Sequence, residues 1–369
     1  MRKILLCLLL CFLIPLWAGA EDAAGPVLES GGLELMSCSV SYPKVTGLAD
    51  EAVQQQVNDA LLEAGHVRDT LDRVSLAAAS GEEITLTWQG EITGEVLSCS
   101  FSLSLPEGRA CYGVVLDLRD GHRVSLEELA EVTGLEELAE DIAGELSPHL
   151  PACELTPLPE DFTADRWGIT LYYPAERYTT LQGESGCLHL SWAEIPAPVT
   201  AEDGIPDRLG VLENLTLTGA DAVVAALEDG KLPGSDLKLG EPAMDWLPES
   251  TEPKAPDLYT YGRILSFENG ALRGWYLLTD DLGDTLENSL IQGIRSDRIA
   301  LCGLVTGVTR QEDWRQVLGE PEAELTLDED AAEGMRMVPG ISDYYVWNGL
   351  RLRLHADEEG VLRSVILTY

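Results

Sequence analysis

The stretch Glu95–Leu129, EVLSCSFSLSLPEGRACYGVVLDLRDGHRVSLEEL, decides the fold class. Leu97, Cys99, Phe101, Leu103 and Leu105 alternate with Ser98, Ser100, Ser102 and Ser104. A period of two marks a strand with one buried face. Pro106-Glu107-Gly108-Arg109 reads as a turn. Tyr112, Val114, Leu116 and Leu118 then alternate again. With Leu105 opposite Ala110, the expected partners are Leu103–Tyr112, Phe101–Val114, Cys99–Leu116 and Leu97–Leu118. Each such pair contributes roughly 0.2–1 kcal/mol. A slip by one residue would turn an apolar set to water, so the face of each strand is well specified. Asp120-Gly121 marks a second turn, followed by a short return strand. Ser125-Leu126-Glu127-Glu128 is a capping box. A sheet therefore hands over to a helix within one unit, and the class is α+β.

Upstream, Ser37–Val40 reads as a strand and residues 50–64 as a helix with Val53, Val57 and Leu61 in a stripe. Gly65 ends that helix or breaks it before a second helical piece at 66–78. Ile84, Leu86 and Trp88 alternate with Thr85 and Thr87 in a further strand. Downstream, Thr133-Gly134-Leu135-Glu136 predicts a second capping box, for a helix with Leu138, Ile142 and Leu146 on one face. Residues 151–161 are a Pro-rich connector, and Trp167–Tyr173 and Cys187–Trp192 are strands around the loop 173–186. Ile195-Pro196-Ala197-Pro198 reads as a linker and places a boundary near residue 198.

The remainder holds a weak repeat. Leu239-Gly240-Glu241-Pro242 recurs as Leu318-Gly319-Glu320-Pro321, and Leu272-Arg273 in 265–278 matches Leu362-Arg363 in 355–368. Each copy reads as a helix, the Leu-Gly-Glu-Pro turn and a small antiparallel meander, with extra residues expected in an acidic loop at 322–340. In the second copy Thr309-Arg310-Gln311-Glu312 is expected to cap a helix whose Trp314, Val317 and Leu318 face inward. Leu350, Leu352 and Leu354 alternate with Arg351, Arg353 and His355, as in a half-exposed strand. The expected units are a leader at 1–20, then 21–110, 111–198, 199–285 and 286–369.

The chain of 369 residues carries 64 acidic against 24 basic residues, a net charge of −40. Such a surface repels nucleic acid, whose binding requires Lys and Arg on phosphates. It suits solubility, or the steering of a cationic partner. Arg2 and Lys3, the apolar run Ile4–Trp17 and Ala18-Gly19-Ala20 form a secretory leader. Its removal takes the charge from −40 to −42. A secreted or envelope-associated location follows, with no stable membrane insertion after cleavage. Six cysteines remain: Cys38, Cys99, Cys111, Cys153, Cys187 and Cys302. An even count permits disulfides, but the spacing is wide and buried thiols fit it well. Cys99 and Cys111 fall on opposite faces and are not expected to pair.

No zinc-protease spacing, phosphate-binding loop, dinucleotide fingerprint or complete nucleophile elbow is present, and the five His lie far apart. No cofactor and no metal is expected, and no set of residues supplies a nucleophile, base and orienter, so the chain reads as a non-enzyme. The binding expectation falls on the 173–186 loop and its Tyr173, Glu176, Tyr178 and Gln182, because aromatic and polar residues on a loop between strands suit an interface. The tyrosines could equally pack over the sheet.

Four segments carry a family resemblance: SYPKVTGLADEAVQQQVNDAL (41–61), GEVLSCSFSL (94–103), LDLRDGHRVSLEEL (116–129) and GITLYYPAERYTTLQGESGCLHLSWAEI (168–195). In this order residues 35–195 resemble the extracellular, lysozyme-sensing part of RsiV-type anti-sigma factors, a paired domain of unknown function also found in some polysaccharide deacetylases. The resemblance implies an N-terminal antiparallel sheet with packed helices and an extracellular protein as partner, lysozyme or another cationic wall hydrolase first. The alternative is a cell-wall or glycan-binding accessory module. GVTRQEDWRQVLGEP (307–321) resembles tandem beta-lactamase-inhibitor-like and outer-membrane-assembly lipoprotein modules, which implies a second protein-binding region of small helix-plus-sheet units.

Overall fold

The computed structural model describes residues 25–148, 150–179, 185–246, 257–259, 262–267, 272–280 and 288–369. The leader expected at 1–20 lies outside them. The class is α+β: among the described residues there are sheets of five, three and eight strands and two two-stranded pairs, interspersed along the chain with helices.

The first sheet is β1 (Val27–Leu35), β2 (Cys38–Thr46), β3 (Thr85–Thr93), β4 (Val96–Leu105) and β5 (Gly108–Asp117), in that spatial order. Between β2 and β3 the chain runs through helices α1 (Glu51–Ala64) and α2 (Val67–Ser80), so these two strands pair in parallel while the others are antiparallel. A crossover of this kind is what a parallel pair requires. Asp50 caps α1 by accepting from the amides of Ala52 and Val53. Gly65 ends it, and His66 turns the chain in the left-handed region at φ +49° so that α2 can begin. Val57 and Leu61 of α1 and Val67 and Val74 of α2 pack on Leu97, Cys99, Phe101, Leu103, Val114 and Leu116.

The faces of the β4–β5 hairpin agree with the alternation, but its register is two residues shorter than expected. Leu105 pairs with Gly108, Leu103 with Ala110, Phe101 with Tyr112, Cys99 with Val114 and Leu97 with Leu116. Gly108, at φ +147°, adopts a backbone closed to other residues, so the ladder restarts after Pro106-Glu107 alone. A shift of two preserves every face, which is why the apolar pattern could not detect it.

The serine face of β4 is likewise not turned wholly to water. Ser98 is 6% exposed, and its Oγ accepts the Ala164 amide at 3.1 Å. The covering layer is the small sheet of β7 (Phe162–Ala164), β8 (Gly168–Tyr172) and β10 (Cys187–Ser191), with the minor pair β6 (Ala152–Cys153) and β9 (Tyr178–Thr179) beside it. Gly113 permits the approach, since a Cβ there would stand 2.5 Å from the Tyr172 ring. Helix α3 (Val132–Leu146) closes this middle core with Leu135, Ala139, Ile142 and Leu146. The first capping box forms, Glu128 reaching back to the Ser125 amide at 2.8 Å, but on a single 3-10 turn. The second does not: α3 begins at Val132, so Thr133 is already inside the helix.

The segment 195–199 is tied to the middle layer, with Val199 donating to the Leu129 carbonyl at 2.8 Å. Helices α4 (Ile205–Arg208) and α5 (Val211–Leu215) bury Ile205, Leu209 and Val211 in the same core. After α6 (Ala220–Ala226) come β11 (Asp257–Tyr259), β12 (Gly262–Ser266), β13 (Trp275–Asp280) and β14 (Ile291–Ser296). The hairpin β15 (Ala300–Leu301) and β16 (Leu304–Val305) precedes α7 (Gln311–Leu318), β17 (Ala323–Leu327), α8 (Glu329–Gly334), β18 (Gly340–Trp347), β19 (Leu350–Asp357) and β20 (Leu362–Thr368). The two meanders share one eight-stranded sheet, ordered β11-β12-β13-β14-β20-β19-β18-β17. Leu277, Ile294, Leu367, Leu352 and Tyr345 form a continuous buried row across it. The stretch expected as an acidic loop is instead β17 and α8, with Asp328 accepting from the Ala331 amide as cap. Thr309 does not cap α7, because its hydroxyl donates to the Gly303 carbonyl at 2.7 Å. Trp314 faces inward, fully buried, and Val317 and Leu318 are half-buried.

Candidate functional site

The 173–186 loop leaves β8 at Tyr173 and returns to β10 at Cys187. Its backbone is clamped to the Pro-rich connector: Cys153 pairs with Tyr178, and Glu154 donates to the Arg177 carbonyl at 2.7 Å. Tyr173 and Tyr178 are each 1% exposed and meet edge to face at 5.9 Å and 84°. The Tyr173 hydroxyl donates to the Leu155 carbonyl at 2.9 Å, and burial pushes its pKa up. Arg177 covers the Tyr173 ring at 5.3 Å. Gly186 is needed because a Cβ there would fall 2.2 Å from the Tyr178 ring. Both aromatic rings therefore anchor the loop from below. Glu176 is exposed at its outer turn, and Gln182 lies outside the described residues.

A face that the sequence reading did not single out lies next to this unit. Helix α3 turns Glu137, Glu140, Asp141 and Glu145 to solvent, with no basic residue in its last turn. The spacing is legible in the sequence as the reverse of the Leu138, Ile142, Leu146 stripe. Like charges three and four apart on a helix repel by a few tenths of a kcal/mol each.

Elsewhere several ionisable groups are tied to one another. Asp117, Asp120 and His122 bring ligand-type atoms within 4.8 Å. Arg208, however, grips both oxygens of Asp117. His122 faces Asp120 at 2.6 Å through Nδ1 and Glu128 at 2.9 Å through Nε2. Burial opposes the charge on His122, but the hydrogen bonds to Asp120 and Glu128 outweigh it and hold its pKa above the ordinary value. With both nitrogens bonded to carboxylates, the imidazolium is a salt-bridge partner. His355, fully buried, faces Ser342 Oγ at 2.9 Å and the Val338 carbonyl at 2.8 Å, and burial lowers its pKa. Cys38, Cys99, Cys153 and Cys302 are unpaired thiols, and burial pushes Cys99 up to about 12.

No family model matches the chain, and no curated protein does. Solved structures give partial likenesses. A DUF3298 family protein from Bacteroides fragilis is similar over 51% of this chain and 98% of its own, at 11% identity and TM-score 0.39. A DUF3298 family protein from Pseudomonas aeruginosa covers 47% of this chain and 93% of its own, at 12% identity and TM-score 0.35. A DUF4309 family protein from Bacillus subtilis covers 41% and 97%, at 16% identity and TM-score 0.28. At these TM-scores none of the likenesses carries an argument about what the chain does. Among the described residues no helix is long and apolar enough to cross a membrane.

Proposed function

We propose that this chain is a secreted, non-catalytic binding protein of the bacterial cell envelope, RsiV-like in its first half, that engages an extracellular cationic protein, with lysozyme the first candidate. The observation that carries the reading is the solvent face of α3, where Glu137, Glu140, Asp141 and Glu145 stand together. Many of the chain's arginines are already committed to internal carboxylates, as in Arg208–Asp117, Arg315–Asp343 and Arg295–Asp297. The excess acid is thereby left at the surface, where a cationic partner would relieve its self-repulsion. Glu176, held on its anchored turn, adds a second acidic contact on the same unit. Three groups of the kind used as base or nucleophile are tied up in a way that suits a non-catalytic role: His122 is locked between two carboxylates, His355 is sealed, and the Cys99 thiol is buried.

Biosensor binding of the mature chain to lysozyme at low and high salt tests this. The expected result is micromolar or tighter binding that weakens sharply with salt, since exposed charges are screened beyond about 8 Å at physiological ionic strength. Charge-neutral substitution of Glu137, Glu140, Asp141 and Glu145 together should weaken it further. No response in low salt would remove this partner, and salt-independent binding would remove the steering argument.

A further inference from the structure

Strand β19 sends Arg351, Arg353 and His355 to one face of the eight-stranded sheet. The alternation reads as half-exposed, but only Arg351 of the three meets solvent; Arg353 is 7% exposed and His355 is fully buried. The cover is the segment 335–338, which follows α8 and touches both side chains.

Among the described residues no carboxylate pairs with Arg353. Its Nε donates to Ser342 Oγ at 2.9 Å. Among the described residues the hydrogen-bond acceptors of its Nη1 and Nη2 are the thioether sulfurs of Met335 and Met337, at 3.9–4.0 Å, and the guanidinium lies over the Tyr344 ring at 5.5 Å. Thioether sulfur is a weak acceptor, and a buried guanidinium without a counter-charge is destabilising. The other well-buried arginines with a described partner, Arg208, Arg273 and Arg295, each face a carboxylate.

The Nε side is fixed by a relay. The Val338 carbonyl can only accept, so His355 Nε2 donates to it. His355 is neutral, so its Nδ1 accepts the Ser342 hydroxyl proton. Ser342 Oγ is then left as acceptor for Arg353 Nε. The guanidinium is oriented from one edge, and its Nη edge is left without a strong acceptor.

That guanidinium lines a pocket of about 670 Å³ together with the apolar Leu278, Leu327 and Ile366 and the Tyr344 ring, and the exposed Asp330, Ala331 and Arg351 also line it. The volume is that of small-molecule sites, which are mostly apolar with a few placed polar groups. We propose that this pocket binds a small amphipathic carboxylate, its apolar body against Leu278, Leu327 and Ile366 and its carboxylate on the Nη1–Nη2 fork of Arg353. Arginine presents paired N–H groups that match a carboxylate in two parallel bonds. A chain of net charge −40 disfavours multiply charged anions, which leaves a monoanion as the fitting class.

Octanoate is the probe, with octanol as the uncharged match and octyl phosphate as the other anion, titrated calorimetrically into the mature chain at neutral pH. Octanoate should bind one-to-one and at least tenfold tighter than octanol. R353M should erase that preference, and A331W, which narrows the rim without touching Arg353, should weaken octanoate at least tenfold. Equal affinity for octanoate and octanol, no binding of octanoate, or octanoate binding unchanged in A331W overturns the proposal. Octyl phosphate binding tighter than octanoate overturns the carboxylate assignment. If R353M does not fold, the wild-type ligand comparison and A331W decide the question alone. None of these outcomes depends on whether lysozyme binds.

Discussion

Removing Glu194 should destabilise the protein far more than removing the arginine it holds. Glu194 lies just after β10 and accepts from Arg273, in the turn just before β13, and from Arg298, just after β14. It is therefore a tie between the middle layer and the C-terminal sheet. The side chains of Glu194 and Arg273 are 14% and 3% exposed, so solvent does little to screen the pair. Two Arg273 nitrogens, Nε and Nη1, are buried with no hydrogen-bond partner among the described residues. In E194A the Arg273 guanidinium loses its carboxylate altogether, a loss of about 3–5 kcal/mol for a broken buried pair. At about 2.1 cal/mol/K per residue and roughly 350 residues, the entropy of one cooperative transition is about 0.7 kcal/mol/K, so Tm should fall by about 4–7 °C. R273M is different. It removes a poorly satisfied cation and leaves Glu194 bonded to Arg298 and to the Ser191 amide, so it should change stability by less than about 1 kcal/mol. The double variant E194A/R273M should recover most of the E194A loss, because no unpaired charge stays buried. Scanning calorimetry with urea titration at pH 7 measures all three. R273M as damaging as E194A, or a double variant no better than E194A, would refute the reasoning.

Three further outcomes are expected. G113A should lose about 1–3 kcal/mol by overpacking against Tyr172, whereas G144A, whose Cβ would meet nothing within 4 Å inside α3, should gain about 0.5–1 kcal/mol; urea midpoints check both. D343A should cost about 3–5 kcal/mol by thermal unfolding, because the fully buried Asp343 accepts from Trp314 Nε1 at 3.0 Å and from Arg315 Nε at 2.7 Å, while D343N, which keeps an acceptor for Trp314, should cost less. For His355, burial lowers the pKa first, with Arg353 and Arg295 adding to it against the Val338 hydrogen bond and Asp297. The unfolded chain then binds a proton that the native state refuses, so stability should fall as pH drops below about 6.5, by at most about 1.4 kcal/mol per pH unit, and H355Q should lose that part of the slope in urea titrations between pH 7.5 and 5.5. His122 acts oppositely: its raised pKa gives stability that is present below about 6.5 and lost as pH rises through the native value.

The α+β class, the face of each strand in the β4–β5 hairpin, the helices α1 and α3 and the two repeated meanders are legible in the sequence because each rests on contacts within a few residues. Period-two alternation assigns faces without any knowledge of what covers them. What covers them is a matter of tertiary structure. The serines of β4 look like a wet face, yet Ser98 is sealed by β7, whose Ala164 is 66 positions away along the chain. Arg353 and His355 look half-exposed, yet the segment after α8 buries them. Tyr173 and Tyr178 suit a binding loop by composition, yet the connector at 152–155 draws both rings inward. Register escaped for a related reason: a two-residue slip leaves every face unchanged, and only the φ of Gly108 distinguishes the alternatives. Local pattern thus determined which side of each element is apolar. Only the three-dimensional packing of distant segments decided which polar side chains lost their water, and the burial of the Arg353 guanidinium with no carboxylate among the described residues is a product of that packing.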